Sequence, residues 1–364
     1  MKHKLFAIYG LYLLLTLLPI SSIRAQDTTT DAMASDYDAV AEAYHTLEEN
    51  IASQGTAAIE LFINQDFEAL FEQFNDGMAE AVPLEELEQA YTQFSSVAAL
   101  GEQTSARVLP LGNGISYLAT YTWGENEMAA TVTFDANNQI SGLNFTANNT
   151  LPDDPALDYE SDVMYQLPFE GLWYTAWGGS DRLHNYHVDA PPQRHAYDFV
   201  IWQDGSTFSG DGTSNEDYYA YGQPALAPAD GTVVTIVDGL PENQPKVETD
   251  QQNPAGNHVV IQTADAEYIY IAHLQPDSIS VAEGDTVEAG QEIGLVGNSG
   301  NTSEPHLHIH LQDMPEMFVT DEDGLITAFS DAIGLPLVFS NYLEDGELQE
   351  SGEPDGGSFV QNAE

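Results

Sequence analysis

The sequence predicts two domains, a small α+β domain followed by an all-β antiparallel domain, and three observations carry that prediction. A chain of 364 residues is long enough for two separate cores. Apolar residues recur at helical spacing over the first part of the chain and then alternate every second residue up to about 148. From about 166 onward helical periodicity is almost absent, and short Val- and Gly-rich runs follow one another.

Residues 1–25 stand outside both domains. Lys2 and Lys4 precede an apolar run from Leu5 to about Pro19 and a small-residue stretch ending at Ala25. That is the layout of a secretory signal peptide, and the run is short for a membrane span. The expectation is an exported protein, secreted or held in the periplasm or cell envelope, with no membrane insertion once the signal is removed. Over 36–150, "DYDAVAEAYHTLEENIASQG" and "AAIELFINQDFEALFEQFNDGMAEAV" read as amphipathic helices, and Pro83 stands where another begins. "ISYLATYTWGENEMAATVTFDANNQISGLNFTA" then reads as an antiparallel meander turning at "GEN" and "DANN". A polar, Pro-containing linker is expected over 151–165. The β-domain is expected over 166–345, through runs such as "GTVVTIVDG", "EYIYIAHL" and "HLHIHLQ". The acidic, Gly/Ser/Pro-rich end, 346–364, is expected to be disordered.

The chemistry that this composition excludes is as informative as what it allows. The chain has 59 acidic residues against 7 Lys plus Arg, a formal charge of −52. Nucleic acid and anionic membranes, which require cationic contacts, are poor partners for it. No cysteine is present, so disulfides, thiolate metal sites and a Cys nucleophile are excluded. Any metal must be held by His and carboxylates.

Eight of the ten histidines fall in the β-domain: His184, His187, His195, His258, His273, His306, His308 and His310. "SEPHLHIHLQ" sets three of them at alternate positions, which in a strand is one face. A hydrolytic zinc takes three His or Asp/Glu ligands and leaves a fourth position for water, while a neighbouring imidazole serves as general base or oxyanion donor. An H-x-H pair supplies one residue of each kind on one face.

The ordered set "QRHAYDFV", "PALAPADGTVV", "GNHVVIQT", "YIAHLQ", "VEAGQEIGLVGNSGNT" and "SEPHLHIHLQ" resembles the lysostaphin-type zinc metallopeptidases that cut peptidoglycan peptides. The resemblance covers roughly 166–340 and implies an antiparallel β-domain with a groove and one Zn2+. It implies Asp198 and His308 as metal ligands and His306 and His273 as catalytic helpers, and leaves His310 a supporting or merely structural role. The family spacing H-x-x-x-D is not kept, since Arg194 stands four residues before Asp198. His195, three residues before Asp198, would face the opposite side of an extended strand. His187 precedes a loop with two prolines, and "HNYHV … QRHAYD" resembles a sub-branch of these enzymes. His187 is therefore taken as the first ligand, with His195 and then His184 as alternatives. The expected function is an exported zinc metalloendopeptidase acting on peptidoglycan cross-link or stem peptides. The rival readings are an inactive wall-binding or regulatory module of the same fold and a peptidase acting on secreted proteins.

Overall fold

A computed structural model describes residues 33–112, 114–148, 151–322 and 325–363. The expected signal peptide lies outside the described residues. Two compact units account for the described chain.

The smaller unit takes in residues 50–108 and 114–148. Its elements are the end of α1 (Met33–Ile63), α2 (Phe67–Phe71), α3 (Asp76–Ala81), α4 (Leu84–Ser95), most of β1 (Leu100–Leu111), β2 (Gly114–Trp123), β3 (Asn126–Asp135) and β4 (Ile140–Asn148). The strands form one sheet in sequence order, so the expected helices-then-meander arrangement is observed. One difference is that α1 runs straight through Gly55, where the sequence reading broke it into two helices. Gly55 is needed there because a Cβ would lie 2.3 Å from the Tyr117 ring, and that close packing offsets the weak helix propensity of glycine.

The larger unit contains the first part of α1, residues 109–112 and the described residues after 150. Its strands are β5 (Trp173–Trp177), β6 (Tyr197–Val200), β7 (Pro224–Leu226), β8 (Gly231–Val237), β9 (Asn257–Ala264), β10 (Glu267–Leu274), β11 (Thr286–Val287), β12 (Glu292–Leu295), β13 (Leu307–Gln312), β14 (Phe318–Thr320), β15 (Ile326–Phe329), β16 (Gly334–Leu335), β17 (Phe339–Glu344), β18 (Glu347–Gly352) and β19 (Phe359–Asn362). The main sheet is ordered β11-β8-β9-β10-β13-β6-β5-β19-β17-β18, which places β13 centrally between β10 and β6. Its neighbours pair antiparallel throughout.

Three boundaries differ from expectation. Residues 36–49, read as part of the small domain, fall in the larger unit. The acidic end is ordered: β18 and β19 both pair with β17, and Phe359 and Val360 are buried. Two apolar side chains reaching the core outweigh a composition that reads as disordered. The segment 151–165 packs rather than hangs free, since Tyr159, Ser161 and Tyr165 all donate to the buried carboxylate of Glu267. Tyr44 of α1 likewise packs edge-on against Trp202 and Phe359 and shares a hydrogen bond with Tyr174.

Candidate metal centre

The two faces of β13 differ in character. Leu307, Ile309 and Leu311 enter the apolar core, so His306, His308 and His310 share the other face. In register, His308 lies opposite Ala272 of β10 on one side and Asp198 of β6 on the other. An imidazole and a carboxylate are thus side by side, with His308 Nδ1 2.8 Å from Asp198 Oδ1.

His187 arrives from a short 3-10 turn, Tyr186–Asp189, behind Asn185. The Asn185 amide nitrogen donates to the carbonyl oxygens of Gly179, Arg194 and Ala196 at 2.9, 3.3 and 3.1 Å. Its Oδ1 therefore accepts, taking the His187 backbone N–H at 3.0 Å and Nδ1–H at 2.8 Å. The proton of a neutral His187 sits on Nδ1, which leaves Nε2 bare 3.6 Å from Asp198 Oδ2. One ligand atom from each of His187, Asp198 and His308 lies within 4.8 Å of the others, and all three residues are buried.

Two further imidazoles face the cluster. His306 donates Nδ1–H to the carbonyl of Glu304 at 2.9 Å, and its Nε2 stands 3.4 Å from Asp198 Oδ1. His273 donates Nδ1–H to the carbonyl of Ser299 at 2.8 Å. Its ring centroid is 4.8 Å from that of His306. His273 follows an irregularity in the β9–β10 pairing and has φ +63, a left-handed conformation that turns the side chain out of the alternation of β10. A second close group, His273, His306 and His308, overlaps the first at His308.

The electrostatics follow from burial. Burial works against the charged form of Asp198, but the His187 and His306 imidazoles, with His306 and His308 set against its oxygens, hold it well below the usual carboxylate range. Burial drives His187 down to about 3, only partly opposed by Asp198. Burial, with His306 and His308 nearby, also holds His273 well below its ordinary value. His306 goes the other way: burial lowers it, but Asp198 and the Glu304 contacts more than compensate.

The donor set fits a divalent cation. His187 and His306 turn bare nitrogens toward a buried carboxylate, and the buried His306 Nε2 has no hydrogen-bond partner. Lone pairs facing a carboxylate repel unless a positive ion lies among them. Imidazole and carboxylate donors without thiolate are suited to zinc.

The remaining candidates sit elsewhere. His195 Nε2 pairs with Asp154 at 3.0 Å, and Arg194 donates to the Asp153 carbonyl at 2.8 Å, so both anchor the segment before β5. His184 pairs with Asp181 at 2.9 Å. His258 donates Nδ1–H to the Gly256 carbonyl at 2.8 Å and stacks on Tyr270. His310 lies behind His308, 2.9 Å from it. Sequence reasoning passed over Tyr186, whose hydroxyl donates to Asp198 Oδ2 at 3.2 Å while the residue stays 52% exposed. The only signal for it was its place in the N-Y-H triplet.

Comparison with known proteins adds a family. Residues 216–318 match the model of Peptidase family M23. The chain carries an M23 peptidase domain. This is a metallopeptidase, and so a hydrolase, family. The matched M23 segment contains His273, His306 and His308, while His187 and Asp198 precede it. Over 90 residues the chain is 38% identical to the peptidoglycan DD-endopeptidase ShyA of Vibrio cholerae, which covers 25% of this chain and 17% of that protein. Among solved structures it is similar to the catalytic domain of the antimicrobial peptidase lysostaphin from Staphylococcus simulans, at 19% identity over 42% of this chain and 82% of that one, with a TM-score of 0.22. It is also similar to the deep-sea M23 metalloprotease pseudoalterin, at 14% identity over 48% of this chain and 99% of that one, with a TM-score of 0.27. Among the described residues no helix is long and apolar enough to cross a membrane.

Proposed function

We propose that this protein is an exported zinc metalloendopeptidase that hydrolyses peptide bonds in peptidoglycan cross-links or stem peptides. His187, Asp198 and His308 hold the ion, and His306 and His273 are the catalytic helpers. The observation that carries the reading is the convergence of these five side chains, drawn from separate segments, on one point with bare imidazole nitrogens turned inward. Zinc bound there supplies a Lewis acid for the scissile carbonyl and acidifies an attacking water.

The protein's own groups do the rest. With Nδ1–H committed to a backbone carbonyl, each helper keeps Nε2 free to take a proton from water and return it to the leaving amine. Once protonated, the same atom donates to the oxygen on which charge develops. Peptidoglycan as substrate class is supported by the likeness to a peptidoglycan DD-endopeptidase.

The test is zinc content of the purified protein together with digestion of purified peptidoglycan and of casein. One zinc per chain with hydrolysis of peptide bonds in the peptidoglycan is expected. Casein cleavage without wall digestion would favour a peptidase for secreted proteins. The inactive-module reading draws on Arg194 at the usual His position, and His187 in the cluster speaks against it. A zinc-free protein that binds walls without cutting them would establish that reading instead.

A further inference from the structure

We propose that His310 and Gln312 form a hydrogen-bond relay that fixes the tautomer of His308, holding the His308 lone pair on Nδ1, where it faces Asp198 and His187. This rests on the reading of His308 as a metal ligand and names positioning residues for it.

His308 is the exception among the inward-facing imidazoles. His187, His273 and His306 each rest one N–H on an amide or backbone oxygen, which can only accept. His308 rests its Nε2 on His310 Nδ1 at 2.9 Å. An imidazole nitrogen can be donor or acceptor, so this contact alone leaves the proton unplaced.

The rest of the chain of contacts places it. Gln312 Nε2 donates to the backbone carbonyl of Met314 at 2.6 Å. A carbonyl cannot donate, so the Gln312 amide has only one acceptable orientation, and its Oε1 faces His310 Nε2 at 3.2 Å. That nitrogen must therefore carry a hydrogen. His310 is 1% exposed and Gln312 is 0% exposed, and among the described residues no carboxylate pairs with His310. With one proton, on Nε2, its Nδ1 is bare and accepts from His308 Nε2–H. The lone pair of His308 is then on Nδ1, 2.8 Å from Asp198 Oδ1, two acceptors whose mutual repulsion a bound cation would relieve.

The opposite orientation would set His310 Nε2 and Gln312 Oε1 against each other as two acceptors. It would also place the His308 proton on Nδ1, where it blocks ligation. Tyr270, the cross-strand partner of His310, stacks on its ring at 4.8 Å and 13°, which keeps the plane in line with the relay. A backbone carbonyl beyond the end of β13 thus decides which nitrogen of a ligand is available. Outer partners of this kind typically change metal affinity by about 10–100-fold.

The experiment compares zinc affinity, by competition with a chromophoric chelator, in the full exported chain and three variants. His310→Phe keeps the ring and its stacking on Tyr270 but removes the acceptor. His310→Asn keeps an acceptor near the Nδ1 position but removes the stacking. The relay predicts roughly tenfold or greater weakening in His310→Phe and affinity within about threefold of the parent in His310→Asn. A mere packing role predicts the reverse order, and either that order or an unweakened His310→Phe overturns the proposal. Should the variants fold poorly, 15N-histidine NMR of the unaltered zinc-loaded protein decides it: the hydrogens must be on Nε2 of both His308 and His310, and a hydrogen on His310 Nδ1 overturns it. His308→Ala separates the two readings. If that variant keeps zinc at parental affinity, the ligand assignment has failed rather than the relay.

Discussion

His306 and His273 differ from the three proposed ligands in one checkable respect, namely that their Nδ1–H groups are committed to backbone carbonyls on loops flanking the site. Replacing either by Ala leaves the ligand set intact. Each variant should bind zinc stoichiometrically after dialysis yet lose kcat by about a hundredfold or more, the scale of a lost general base or oxyanion donor. Parental turnover in both would show the helpers to be misassigned. His187 and His195 offer a second contrast. His187→Ala should lower zinc affinity, because a two-ligand remnant holds the ion poorly. His195→Ala should leave zinc in place and cost about 1–3 kcal/mol of stability, since it removes a buried ring and its pairing with Asp154. Calorimetric unfolding and metal analysis of the same two samples check both halves. The choice between these two histidines was open in the sequence, because the loop between His187 and β6 has no periodicity from which a side-chain direction can be read.

At the scale of elements, the site depends on a close backbone approach. Gly256 has φ +60, and a Cβ there would lie 2.2 Å from the Ser299 carbonyl oxygen, the same atom that accepts from His273. Gly256→Ala should therefore displace that acceptor as well as strain the turn. The expected result is a lower melting temperature and weakened activity with zinc retained; unchanged activity would mean that the Ser299 carbonyl does not position His273. The C-terminal strands carry another prediction. Val360 is fully buried in the main core, so Val360→Asp should destabilise the larger unit by on the order of 4 kcal/mol, measured by denaturant unfolding. Composition suggested disorder here because two apolar residues among polar ones do not announce a strand; their partner β17 supplies the reason for order.

For the whole molecule, charge is the dominant sequence property. With a formal charge of −52, folding packs together groups that repel, and added salt screens this over a Debye length of about 10 Å at 0.1 M. Walls that bear anionic polymers would repel the protein for the same reason. Melting temperature and digestion of intact walls should both rise from low to molar sodium chloride, with a much smaller kinetic effect on a short uncharged peptide. A steady fall of both would assign the acidic excess another cause, such as bound divalent cations.

The amino-acid sequence by itself determined which side chains share a face. Alternation put His306, His308 and His310 on one side of β13 and Leu307, Ile309 and Leu311 on the other, since side-chain direction in a strand follows from local backbone geometry alone. It also bounded the donors to His and carboxylate through the absence of cysteine. Only the tertiary structure decided that His308 stands opposite Asp198, that His187 rather than His195 reaches that pair, and that Arg194 turns to Asp153. Those outcomes depend on strand register and loop path, which are fixed by hydrogen bonds between segments far apart in sequence and leave no local period to read.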